Sequence, residues 1–212
     1  MQFHFAVFER VEELDLVGPW EMVGILAARG HCLPPKLTSL NSMEPTGEHG
    51  MRFLADFHFE RAPIPDVLVV PGGSGAREAM RNPSVLNYLR RCGAECTNVL
   101  SVCTGSYLMQ AAGLFNGRKA VTHWAFLDHL REDPSITVEE ERVVRDGSVW
   151  SAAGVSSGMD MMLAFIAHVW DDSVAADVQL EAEYYPSGVV YGAPSQQPNI
   201  SRYIRELDTK PR

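Results

Sequence analysis

The chain alternates short unbroken apolar runs with longer stretches in which apolar residues recur at helical spacing. Residues 3–8, Phe-His-Phe-Ala-Val-Phe, predict a first strand. Gly18-Pro19 predicts a helix start, with the helix over 20–29, because a proline in the first turn lacks only an N–H that has no partner there. Gly30 predicts its end. Residues 36–42 and 52–59 predict strands, the second with Phe53, Ala55, Phe57 and Phe59 on one side. Residues 66–70 and 98–102 are apolar nearly throughout, the pattern of central parallel strands buried on both faces. A helix over 83–96 lies between them, and one over 107–112, stopped by Gly113, follows the second. Beyond it the pattern predicts a strand at 119–122, a helix at 124–130, and a hairpin of 136–144 and 149–153 across Asp146-Gly147. Helices are predicted over 155–170 and 173–185. The Pro-, Ser- and Gln-rich tail from 186 is predicted to be irregular.

Strand–helix alternation of this kind predicts an α/β three-layer sandwich with a mainly parallel, flavodoxin-like central sheet. With no repeat or linker visible, the expectation is one domain over 1–212, with a core of about 3–185. Such sheets place their sites at the carboxyl ends of the strands, where the strand order switches. That points to the ends of two strands, residues 71–75 and 103–106.

Charge narrows the function. Eighteen basic against twenty-seven acidic residues leave a net charge of −9, and no basic run appears. Nucleic-acid and anionic-membrane roles are therefore not expected. The most apolar stretch, 159–170, is interrupted by Asp160 and His168 and is too short to span a bilayer. The amino terminus has no signal-peptide pattern, so the expected location is cytoplasmic. Four cysteines are few for this length, which fits a reducing compartment. Cys92 and Cys96 form a C-x3-C pair with no second pair, so no metal site is expected, and with Cys32 they read as ordinary core or surface thiols.

Cys103 is the leading chemical candidate. It stands where a buried strand runs straight into a helix, and a sharp turn there would bare its sulfur over the sheet edge. The helix start would favour its thiolate; the competing reading is simple packing. Asp15, between Leu14 and Leu16, is a second candidate. Held against an apolar wall beside a thiol it would keep its proton and serve as a general acid; the alternative is a helix cap. Gly72 and Gly73 could bring backbone N–H groups to a ligand or merely turn the chain. Thr104 offers a hydroxyl and an N–H beside the thiol. His123, after the next strand, could reach the same edge or only cap a helix.

Taken together, Asp15-Leu16-x-Gly18-Pro19, Asp66-Val67-Leu68-Val69-Val70-Pro71-Gly72-Gly73, Ser101-Val102-Cys103-Thr104-Gly105-Ser106 and Gly117-Arg118-Lys119-Ala120-Val121-Thr122-His123-Trp124 resemble the ThiJ/PfpI superfamily, with its class I glutamine amidotransferase-like fold. Thr104 in place of the histidine that follows the nucleophile in protease-like members, and Asp15 in place of glutamate, make the chain most similar to the isonitrile hydratase branch. The resemblance implies a lyase that uses Cys103, Asp15 and Thr104 to add water to an isonitrile, giving an N-substituted formamide. Gly72, Gly73 and His123 would bind the small-molecule substrate. It implies a homodimer with no metal or organic cofactor. Regulators of the same branch carry a helix-turn-helix half downstream, and no such half is expected in the residues after Tyr185. The alternatives are a redox-sensitive, stress-related protein in which Cys103 oxidises, or a glyoxalase- or amidase-like hydrolase.

Overall fold

The computed structural model of the chain describes residues 1–186, 188, 190–197 and 199–207. The strands are β1 (Phe3–Val7), β2 (Lys36–Ser39), β3 (Phe57–His58), β4 (Val67–Val70), β5 (Asn98–Val102), β6 (Lys119–Ala120), β7 (Thr137–Val138), β8 (Val143–Asp146) and β9 (Val149–Ala152). The helices are α1 (Glu13–Ala28), α2 (Ala76–Ala79), α3 (Pro83–Glu95), α4 (Gly105–Ala111), α5 (Leu127–Arg131), α6 (Ser157–Val169), α7 (Asp172–Glu181) and α8 (Arg202–Leu207).

Seven strands form one sheet in the order β3-β2-β1-β4-β5-β9-β8, parallel except for the β8–β9 hairpin. Its three central strands, β1, β4 and β5, are buried almost throughout because helices cover both faces: α1, α6 and α7 pack together in one layer, α2, α3 and α4 in the other. Register is tight at the centre, with Phe5 opposite Val69 and Val69 opposite Leu100. The ends of β1, β4 and β5 therefore lie side by side. The chain leaves β1 toward β2 and returns on the other side at β4, so the switch in strand order falls at that same edge.

Several expectations are corrected. Helix α1 begins at Glu13, not at residue 20, so Asp15 lies in its first turn and Pro19 in its interior. Gly18-Pro19 is there for packing. A side chain on Gly18 would lie 3.1 Å from Met159 Cγ of α6, so the pair marks a close helix crossing and not a helix start. The strand over 52–59 shrinks to β3, because Phe53 and Ala55 donate their N–H groups to Pro45 O (3.0 Å) and Met43 O (2.9 Å) instead of to the sheet. The strand over 136–144 splits. Its start pairs with β6 as a separate two-stranded parallel ribbon, and only its end joins β9. The hairpin turn is Gly147-Ser148, flanked by the Asp146–Val149 pair. The tail is not wholly irregular. Ile200 and Ser201 are buried, and α8 follows. Tyr203 packs on Val121, Leu127, Val144 and Ala153, and Arg202 pairs with Glu141 and donates its N–H to Glu140. No helix among the described residues is long and apolar enough to cross a membrane.

Candidate active site

The end of β5 carries the sharp turn that the sequence predicts. Cys103 has φ +55°, a left-handed conformation that costs a non-glycine residue about 1–3 kcal/mol. Surrounding hydrogen bonds hold it there. The Cys103 N–H is shared between Ala152 O (3.1 Å) and Ala153 O (2.8 Å) at the end of β9. Its carbonyl accepts from Thr122 Oγ1 (2.9 Å), and that hydroxyl accepts from Ser106 Oγ (2.7 Å). Glycine is required at 105, where a Cβ would stand 2.8 Å from Pro71 O. The residue is 7% exposed, and its side chain lines a cavity of about 240 Å³.

Asp15 reaches the same place from α1. It is fully buried, and its Oδ2 accepts the Gly72 N–H at 2.9 Å. The Cys103 side chain stands against this carboxyl and lowers its pKa slightly without a well-formed hydrogen bond, for Oδ1 is buried and unpartnered. Burial raises the carboxyl well above the usual aspartate range, and the charge of Glu12 adds to the rise; the Gly72 N–H offsets part of it. Burial also pushes the Cys103 thiol up to about 12, helped by the charge of Asp15. The N–H groups of Thr104 and Val155 and the Thr104 hydroxyl oppose that rise and lose. The expected depression of the thiol by the helix start is thus overturned, because desolvation outweighs the few donors. The resting site is a neutral thiol beside a carboxyl that resists ionisation.

The structure distributes the remaining predicted residues unequally. Gly73, Thr104 and His123 line the cavity with Cys103, whereas Gly72 and Asp15 do not. Gly72 lies beneath them, and a Cβ there would sit 2.9 Å from Asp15 Oδ2. The Gly73 N–H is already donated to Thr104 Oγ1 at 3.0 Å, so that pair braces the turn and leaves no free donor at Gly73. His123 Nδ1 accepts from Ala125 N at 3.2 Å, and burial lowers its pKa, so it presents a neutral ring. Sequence reasoning missed the outer wall. Arg77, on the short helix α2, lies 5.5 Å from the ring of Phe126 and 5.9 Å from that of Tyr107, and all three line the cavity. The available signal was a basic residue just after the Gly72–Gly75 turn. Cys92 and Cys96 lie side by side on α3 and at its cap, away from this cavity.

A family model described as the DJ-1/PfpI family matches residues 1–168. The chain belongs to this family. Among curated relatives of this DJ-1/PfpI chain, an isonitrile hydratase of Pseudomonas putida is 35% identical over 188 residues, covering 88% of the chain and 80% of the relative. A deglycase of Pyrococcus horikoshii is 26% identical, over 75% of the chain and 93% of its own length. The crystal structure of a ThiJ/PfpI family protein from Pseudomonas syringae superimposes with a TM-score of 0.82 at 30% identity, covering 98% of the chain and 84% of that structure. Schizosaccharomyces pombe DJ-1, at 16% identity and a TM-score of 0.74 over 88% of the chain, shares the fold.

Proposed function

We propose that this DJ-1/PfpI protein hydrates an isonitrile to an N-substituted formamide, with Cys103 as nucleophile and Asp15 as proton carrier. The observation that carries the reading is the pairing of a thiol, exposed only to the cavity, with a buried carboxyl that favours its neutral form. The hydratase relative supplies the substrate class. Sγ bonds to the terminal carbon of R–N≡C. That carbon takes a proton from Asp15, and the thiol proton passes to the resulting carboxylate. The product is a thioimidate, R–N=CH–S–Cys103. Water then adds to the same carbon, the C–S bond breaks, and its sulfur recovers a proton through Asp15. R–NH–CHO leaves, and both groups return to their starting state. A carboxyl that burial raises well above the usual aspartate range suits the first step, since it holds its proton more readily than an ordinary aspartate, which is protonated only about once in a thousand at pH 7. Thr104 holds the Gly73 turn against the sulfur, and its N–H faces the sulfur, where charge develops. His123 contributes a neutral wall. The redox-sensor reading fits less well, because rapid oxidation needs a thiolate that burial disfavours.

The experiment is incubation with cyclohexyl isocyanide and detection of N-cyclohexylformamide by mass spectrometry. Cys103→Ala must abolish turnover. Formamide production surviving that substitution, or methylglyoxal turned over in place of isonitrile, refutes the proposal.

A further inference from the structure

At the edge of the cavity, which Glu12 helps to line, two adjacent carboxylates meet a histidine. Glu12 precedes α1, Glu13 opens it, and His49 belongs to the loop 47–51 that folds over this corner. One ligand-capable atom from each of the three lies within 4.8 Å of the other two, and His49 Nε2 is already 3.5 Å from Glu12 Oε2. Glu13 is the unusual member. It is 92% buried by its 8% exposure, yet only Oε1 is satisfied, by the N–H groups of His49 (2.7 Å) and Met51 (3.3 Å). Its Oε2 is buried with no hydrogen-bond partner. Among the described residues, no lysine or arginine pairs with Glu12 or Glu13. Among the described residues the two carboxylates find one imidazole and, for Glu13, two backbone N–H groups as partners, which concentrates negative charge and leaves a buried acceptor unused.

We infer that Glu12, Glu13 and His49 bind one divalent transition-metal cation of the zinc type, tying loop 47–51 to the start of α1 at the rim of the cavity. One imidazole and two carboxylates, with solvent completing the shell, is a donor set that such a cation accepts. Ligands of a tetrahedral zinc ion lie about 3.3 Å apart, so the cluster must contract from its present spread. The mobile partner is His49, whose side chain is 73% exposed and whose loop turns at Gly50 with φ +97°. Glu13 needs no movement to keep its two backbone donors. The site owes nothing to the thiol, and its spacing in sequence, two neighbours and a residue 36 further on, matches no metal motif.

The test is zinc titration by calorimetry on the Cys103→Ala protein, which removes the active-site sulfur as a competing ligand, with cobalt as a spectroscopic probe. The expected result is one equivalent bound, weakened at least tenfold by His49→Ala and by Glu13→Gln, and unchanged by His31→Ala. Glu13→Gln retains the acceptor for the two backbone donors. His49→Ala removes an exposed side chain, so folding survives even if the first variant is unstable. The proposal is overturned by no saturable binding, by equal affinity in the His49→Ala variant, or by a cobalt spectrum with thiolate charge-transfer bands. None of these outcomes bears on isonitrile turnover.

Discussion

The alkylation rate of Cys103 tests the central electrostatic claim most directly. A thiol at about 12 instead of 9.0 carries about a thousand-fold less thiolate at about pH 8. The more basic thiolate is intrinsically more nucleophilic, with a Brønsted slope of about 0.4–0.5, and recovers roughly twentyfold of that loss. Iodoacetamide should therefore label Cys103 about 50-fold more slowly than an ordinary thiol, before steric shielding is counted. Peptide mass spectrometry across a pH series separates Cys103 from the other three cysteines. In the wild-type protein the rate should climb about tenfold per pH unit through about pH 11 with no plateau. Asp15→Asn removes the second-largest cause of the rise, the neighbouring negative charge, while keeping an acceptor for Gly72 N–H. Its profile should bend at lower pH, each unit of displacement giving about tenfold more thiolate. A wild-type plateau near pH 9, or a profile that Asp15→Asn leaves in place, would show that the carboxyl and the thiol do not sense each other. The proposed proton transfer between them would then fall.

The same substitution carries a stability signature. Asp15 binds its proton more tightly folded than unfolded, so its contribution is fully present below the unfolded value near 3.8 and is lost as pH rises. Asp15→Asn should raise the thermal midpoint by a few degrees at about pH 8, with the gap closing toward about pH 3, while formamide production disappears. Thr104→Val deletes the acceptor of the Gly73 N–H, which should cost about 1 kcal/mol by denaturant titration and lower kcat/KM at least tenfold. Gly72→Ala drives a Cβ to 2.5 Å from Thr104 N and should destabilise the fold by about 1–3 kcal/mol and silence the enzyme, read by chemical denaturation and product assay. His123→Phe keeps a ring at the cavity wall, so its effect should appear in KM, with kcat nearly unchanged; a collapse of kcat would make the imidazole a proton carrier.

What the sequence made legible follows from how local each signal is. The apolar runs at 66–70 and 98–102 became β4 and β5 because burial on both faces leaves no polar position to blur the pattern. Cys103 was visible at its strand–helix junction for the same reason. Its protonation was not, since desolvation depends on what α1 and the neighbouring loops place around it. The start of α1 was misplaced because Gly18-Pro19 carries a local helix-start signal, while its actual role lies in a contact with Met159, 141 positions further along the chain. Arg77 was hidden by α2, a single turn of four residues too short for a periodic pattern. The docking of α8 was hidden for a related reason. Tyr203 meets a small apolar cluster assembled from 121, 127, 144 and 153, which no single window of the sequence contains.

Cys103 takes its position from main-chain constraints: two carbonyls of β9 grip its amide, and a pair of hydroxyls from Thr122 and Ser106 fastens its carbonyl. None of those fastenings touches the sulfur. The chemistry delivered at this spot can therefore drift, by exchange of whatever stands at 103 or at 15, without the address being lost. The outer wall, drawn from α2, α4 and the segment after His123, can be redrawn for a different guest without disturbing the turn. Reactivity and preference are written on separate lengths of chain, an arrangement that lets one scaffold be inherited by many trades.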